Sequence, residues 1–161
     1  MPQRQGLAPV FDPTRDQARL FFLEAWRKHG AKEFVSPLED AAIRLISLHP
    51  EYHRLLEDRE AALARKWTPE SGEANPFLHL SLHLAVEEQL SIDQPPGLRT
   101  AFEGLLARHG DRHAALHDVL ECLGETMWRA QKSQSPPDGE AYVECVRRKG
   151  PAPHPPSRGR G

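Results

Sequence analysis

A short polar residue repeatedly stands directly before proline in this chain, at the head of a stretch with helical periodicity. Asp12-Pro13, Ser36-Pro37 and Asn75-Pro76 are the three instances, and Asp111 heads a fourth stretch without proline. Asp, Ser and Asn accept hydrogen bonds from the orphan N–H groups of a first helical turn. Proline fits the first helical position, because its missing N–H would lack a partner there anyway. A chain punctuated in this way is committed to helices. The pattern predicts helices over about 13–29 (closed by Gly30), 37–48, 50–65, 76–92, 97–109 (stopped by Gly110), 111–132 and 139–148. Glu39 is placed to complete a capping box with Ser36. No period-two run of useful length occurs. The expected fold is all-α: a single helical-bundle domain of six or seven helices over 11–148, with disordered tails at 1–10 and 149–161. The second tail, KGPAPHPPSRGRG, lacks the apolar residues a core needs.

Composition narrows the function classes. The 161 residues carry a formal charge of -2 with 39% hydrophobic and 27% charged residues, within the globular range. Nothing electrostatic favours nucleic acid as a partner, and the few aromatics are not interleaved with basic residues. Apolar runs fall short of a membrane span, and the opening MPQRQGLAPVFDP lacks the apolar centre of a secretory signal. A cytoplasmic setting is expected. Cys122 and Cys145 form no C-x-x-C pair, so they are read as reduced thiols that pack as small hydrophobes. Trp67 is read as a core plug. A protein partner or a second copy of the chain stays open.

Two of the predicted helices, the fourth and the sixth, repeat one spacing. His79, His83 and Glu87 are four residues apart, as are His113, His117 and Glu121. Steps of four put each triplet on one helical face. On the fourth helix the core face is expected at Leu78, Leu82, Ala85 and Val86, with Leu80 and Leu84 on the far side. On the sixth it is expected at Leu116, Leu120, Leu123 and Met127. The triplets therefore border the core, where an unpaired polar group is costly.

Imidazole and carboxylate together suit a divalent transition metal: zinc, iron, manganese or nickel. A pair four apart can grip one ion, but groups eight apart rise about 12 Å and cannot. A shared site therefore needs both helices, or two ions bridged by carboxylate. The six triplet residues are the expected metal ligands. In a hydrolytic or redox version, Glu87 or Glu121 bridges ions or takes a proton from bound water. The competing reading is a non-enzymatic helical interaction module, its histidines and glutamates hydrogen-bonded to each other without metal. His49 and His53 form a weaker pair, split by Pro50. His49 is read mainly as a C-terminal cap of the second helix, and His29 and His109 as caps likewise. Nucleophile-elbow, Walker and dinucleotide-binding motifs are missing.

The runs NPFLHLSLHLAVEEQLSIDQPPG, GDRHAALHDVLECLGE and PPDGEAYVECVRR, with FDPTRDQARLFF and HPEYHRLLED, resemble a bacterial family of uncharacterised proteins. It is the domain-of-unknown-function family numbered eighteen forty-one. The resemblance spans about 11–148 and implies a small bacterial cytosolic protein. It implies no activity, cofactor or catalytic residue.

Overall fold

The computed structural model describes residues 15–150. These form α1 (Arg15–Ala31), α2 (Pro37–Ser47), α3 (His53–Leu56), α4 (Arg59–Ala64), α5 (Pro76–Ile92), α6 (Leu98–His109), α7 (Arg112–Ser133) and α8 (Gly139–Lys149), with 3-10 turns at Pro50–Tyr52 and Pro69–Ser71. The expected all-α class holds: the described residues contain no strand. The opening at Asp12-Pro13, the tail 1–10 and residues 151–161 lie outside the described residues.

The caps explain the boundaries. Ser36 Oγ accepts from the Glu39 N–H at 3.1 Å, and Glu39 Oε1 accepts from the Ser36 N–H at 2.9 Å. Lys28 Nζ closes on the same carboxylate at 2.9 Å. Asn75 Oδ1 accepts from Phe77 N–H at 2.9 Å, and Asp111 Oδ2 from Ala114 N–H at 3.0 Å. Gly110 ends α6 at φ 66°, where a side chain would be strained.

Two expected boundaries are corrected. The first helix runs past Gly30 to Ala31, and the left-handed residue beyond it is Lys32, at φ 56°. The single helix expected over 50–65 is broken into a 3-10 turn, α3 and α4. Asp58 causes the second break: its side chain accepts from Ala61 N–H at 3.1 Å and starts a new helix instead of continuing the old one.

The chain divides into two compact units, 1–85 and 86–161. In the first, α1 packs against α2, α3 and α4. Its core holds Phe22, Ile43, Ile46, Leu56, Phe77 and Leu80, with Trp67 packed against it as expected. The buried face of α5 here is Phe77, Leu80, His83 and Leu84, while Leu78 is exposed. The sequence expectation had placed the core on the Leu78 side. Two faces of a helix cannot be told apart by spacing when apolar residues surround it.

Arg19 is 2% exposed and spans from α1 to the end of α4. Its Nη1 donates to the carbonyls of Ala62, Leu63 and Arg65 at 3.1, 3.1 and 2.8 Å. Those carbonyls end a helix, so their dipoles favour a cation. The guanidinium also lies 4.9 Å from the centroid of Trp67.

In the second unit α6, α7 and α8 pack pairwise around Leu98, Leu105, Leu116, Val119, Tyr142 and Val146. Met127, expected in this core, is exposed. Tyr142 Oη donates to Gln89 Oε1 at 2.7 Å, and burial pushes its phenol well above the ordinary value. The expectation of two reduced thiols is overturned: Cys122 and Cys145 form a disulfide, their Cα atoms 5.8 Å apart. That separation is within bridging range, and it arises from the packing of α7 on α8, which spacing in the sequence does not encode.

Candidate metal centre

The first unit brings three imidazoles together. His79 and His83 come from α5, one turn apart, as their spacing predicts. His49 comes from the end of α2. His79 Nε2 stands 3.2 Å from His49 Nε2 and 3.2 Å from His83 Nε2. One ring nitrogen of each lies within 4.8 Å of one from each of the others. His49 and His83 are fully buried and His79 is half-buried.

Local structure fixes His49. Its Nδ1 lies 2.7 Å from the Leu45 carbonyl oxygen. A carbonyl only accepts, so this nitrogen carries the hydrogen. In the neutral ring Nε2 is then a bare lone pair, turned towards His79. A histidine held through Nδ1–H on a carbonyl is the usual supporting arrangement of a metal-ligating imidazole. The cap role expected for His49 is therefore met by one nitrogen while the other faces the cluster. Tyr52 stacks on the His49 ring at 5.3 Å and 4°.

His53 goes elsewhere. Its Nε2 donates to the Ile46 carbonyl at 2.8 Å, and its ring packs 4.6 Å from Trp26. The 3-10 turn at Pro50–Tyr52 turns these two histidines to different partners, as the intervening proline suggested.

The His79 nitrogen carries the chemistry of the cluster. A neutral imidazole nitrogen has either one hydrogen or one lone pair. It can make one linear hydrogen bond, and Nε2 of His79 meets two ring nitrogens at equal distance. A cation between the three would satisfy all of them. Two nitrogens on a tetrahedral zinc with bonds of about 2.05 Å stand about 3.3 Å apart. The two 3.2 Å spacings match that figure. A pair standing at the outer limit of 4.8 Å would have to close by about 1.5 Å on binding to reach that spacing.

The other expected ligands lie in the second unit. His113 and His117 stand one turn apart on α7 with ring centroids 4.2 Å apart; His113 is half-buried and His117 exposed. Glu87 receives both Nη atoms of Arg112, at 2.7 and 2.9 Å. Glu121 is 71% exposed and pairs with Lys149 at 3.2 Å. His109, expected as a cap, binds Asp118 Oδ2 at 2.6 Å, while His29 stacks on Trp26 at 5.2 Å.

His49 is the residue that sequence reasoning undervalued. The four-residue spacing in HPEYH carries the signal, but Pro50 breaks the helix between His49 and His53, so spacing alone does not put them on one face. No helix among the described residues is long and apolar enough to cross a membrane. Residues 14–148 match the family described as Domain of unknown function (DUF1841). No curated protein and no solved structure matches the chain.

Proposed function

The chain belongs to the DUF1841 family, whose description carries no activity, and we propose from the geometry that it is a metal-binding protein. His49, His79 and His83 are the proposed ligands in the first unit. The observation that supports this reading is the single His79 nitrogen at 3.2 Å from two others. Neutral imidazoles suit zinc, copper, iron and nickel better than magnesium or calcium. Of the four ions named from the sequence, zinc and nickel fit an all-nitrogen donor set best, and manganese least.

The second triplet enters the proposal on its spacing alone. His113 and His117 are proposed as a further imidazole pair. Glu87 and Glu121 would have to exchange Arg112 and Lys149 for an ion before they could ligate. A bacterial cytosolic setting is also part of the proposal. In that setting the Cys122–Cys145 bond would be reversible rather than permanent.

A second reading has its own support. His49 and His53 both donate to carbonyls at the end of α2, as in a purely hydrogen-bonded core edge. On that reading the protein is a helical interaction module without metal. Elemental analysis of protein purified without a histidine tag separates the two. About one equivalent of a transition metal per chain, lost in His79→Ala, supports the metal reading. Metal-free protein that takes up neither zinc nor nickel in a titration sinks it.

A further inference from the structure

The second unit holds a chemical group that metal binding does not use. Cys122 is fully buried, whereas Cys145 is partly exposed. Cys145 lines a groove of about 580 Å³ between α7 and α8. The disulfide thus runs from the core to a groove wall. Around the groove stand Arg129, Arg148 and Lys149 with Glu125 and Glu144. Arg129 pairs with Glu125 at 2.6 Å, and Arg148 with Glu144 at 3.5 Å. Both arginines are largely exposed. Exposed pairs of this kind contribute little, so a ligand bearing both charges can exchange with them at small cost.

We propose that this disulfide is a thiol-exchange site, entered at Cys145 by a small thiol that carries carboxylate and ammonium groups. A groove of this volume is within the range that holds a molecule of tripeptide size. The incoming thiolate attacks Cys145 Sγ from the groove. A new S–S bond forms, the Cys122–Cys145 bond breaks, and its electron pair leaves on Cys122 Sγ. Burial disfavours that thiolate, so it takes a proton and stays beneath the mixed disulfide. Two exits balance. Cys122 attacks Cys145 again and expels the small thiol, or a second small thiol attacks the first one's sulfur. The second route leaves two protein thiols and one small-molecule disulfide. Tyr142, Val143 and Val146 bury α8 by contacts other than the disulfide, which is what a repeatable exchange requires.

The test uses the full chain and glutathione. Wild-type protein is treated with reduced glutathione, quenched by alkylation and mapped by mass spectrometry. The expected product carries glutathione on Cys145 and the alkyl group on Cys122. As a second measurement, native Cys122→Ser and Cys145→Ser are reacted with glutathione disulfide. Cys122→Ser should react at least about tenfold faster, and the difference should vanish in denaturant. Arg129→Glu with Arg148→Glu, added to Cys122→Ser, should slow glutathione disulfide and leave the uncharged hydroxyethyl disulfide unchanged. Glutathione on Cys122, equal rates in the two native variants, or reaction only after unfolding would overturn the site. An unchanged preference after charge reversal would overturn the class of thiol.

Discussion

Replacing His79 by alanine distinguishes a metal centre from a hydrogen-bonded cluster, because its Nε2 stands 3.2 Å from a ring nitrogen of each of the other two histidines. Consider zinc at about one hundred times its dissociation constant. Binding to the native state alone then stabilises wild type by about 2.7 kcal/mol. For a chain of this length each kcal/mol moves the melting temperature by roughly 2–4 °C. Chelation should therefore lower the wild-type melt by about 5–11 °C. His79→Ala loses the central ligand, so its melt should barely respond to chelator. The substitution also has a cost unrelated to metal, on the order of 1–3 kcal/mol for a buried partner left unpaired. That cost is present with and without chelator and cancels in the difference between the two conditions. The assay is four melting curves, wild type and variant, with zinc and with chelator. A difference of differences near zero would refute the metal assignment, whatever the size of the two single effects.

Other outcomes follow from the packing. Leu80→Ala, at a fully buried position in the first core, should cost about 2–5 kcal/mol in urea unfolding. Arg19→Met keeps most of the volume but leaves the carbonyls of Ala62 and Leu63 without their arginine donor, while Arg65 keeps Arg15; a loss of about 3 kcal/mol is expected by the same measurement. The Ser36 N–H, and after it Lys28, hold the Glu39 carboxyl below its ordinary value of 4.5. A depressed native value means that this contribution is present above pH 4.5 and fades as pH falls through the native value. An acid titration of Glu39→Gln should therefore show a shallower loss of stability below that pH than wild type does. Arg112→Ala should change stability by less than about 1 kcal/mol, since its pair with Glu87 is solvent-accessible.

Capping chemistry was legible because it is local. Ser36, Asn75 and Asp111 each satisfy N–H groups within three residues, so the helix starts they predict are found. The break at Asp58 was missed for a related reason: the same side chain suits a helix interior poorly and a new N-terminus well, and composition does not rank the two. The turn from His79 to His83 was legible as spacing. The arrival of His49 was not, because it depends on how the end of α2 meets α5 through the intervening 3-10 turn. The buried face of α5 was misassigned where leucines occupy every side of the helix. The disulfide required the packing of α7 on α8, which no spacing between Cys122 and Cys145 announces.

Arg19 grips α4 through backbone oxygens, not side chains. The identity of its partners is therefore invisible to it. In a saturating mutagenesis library, position 19 should be among the least tolerant in the first unit. Leu63 and Arg65 should accept many replacements without loss of the clasp, and Ala62 should be held only by the room around it. Evolutionary drift along 62–65 would then leave the geometry of the helix end intact, because arginines of the neighbouring helix, Arg19 with Arg15 beside it, enforce it.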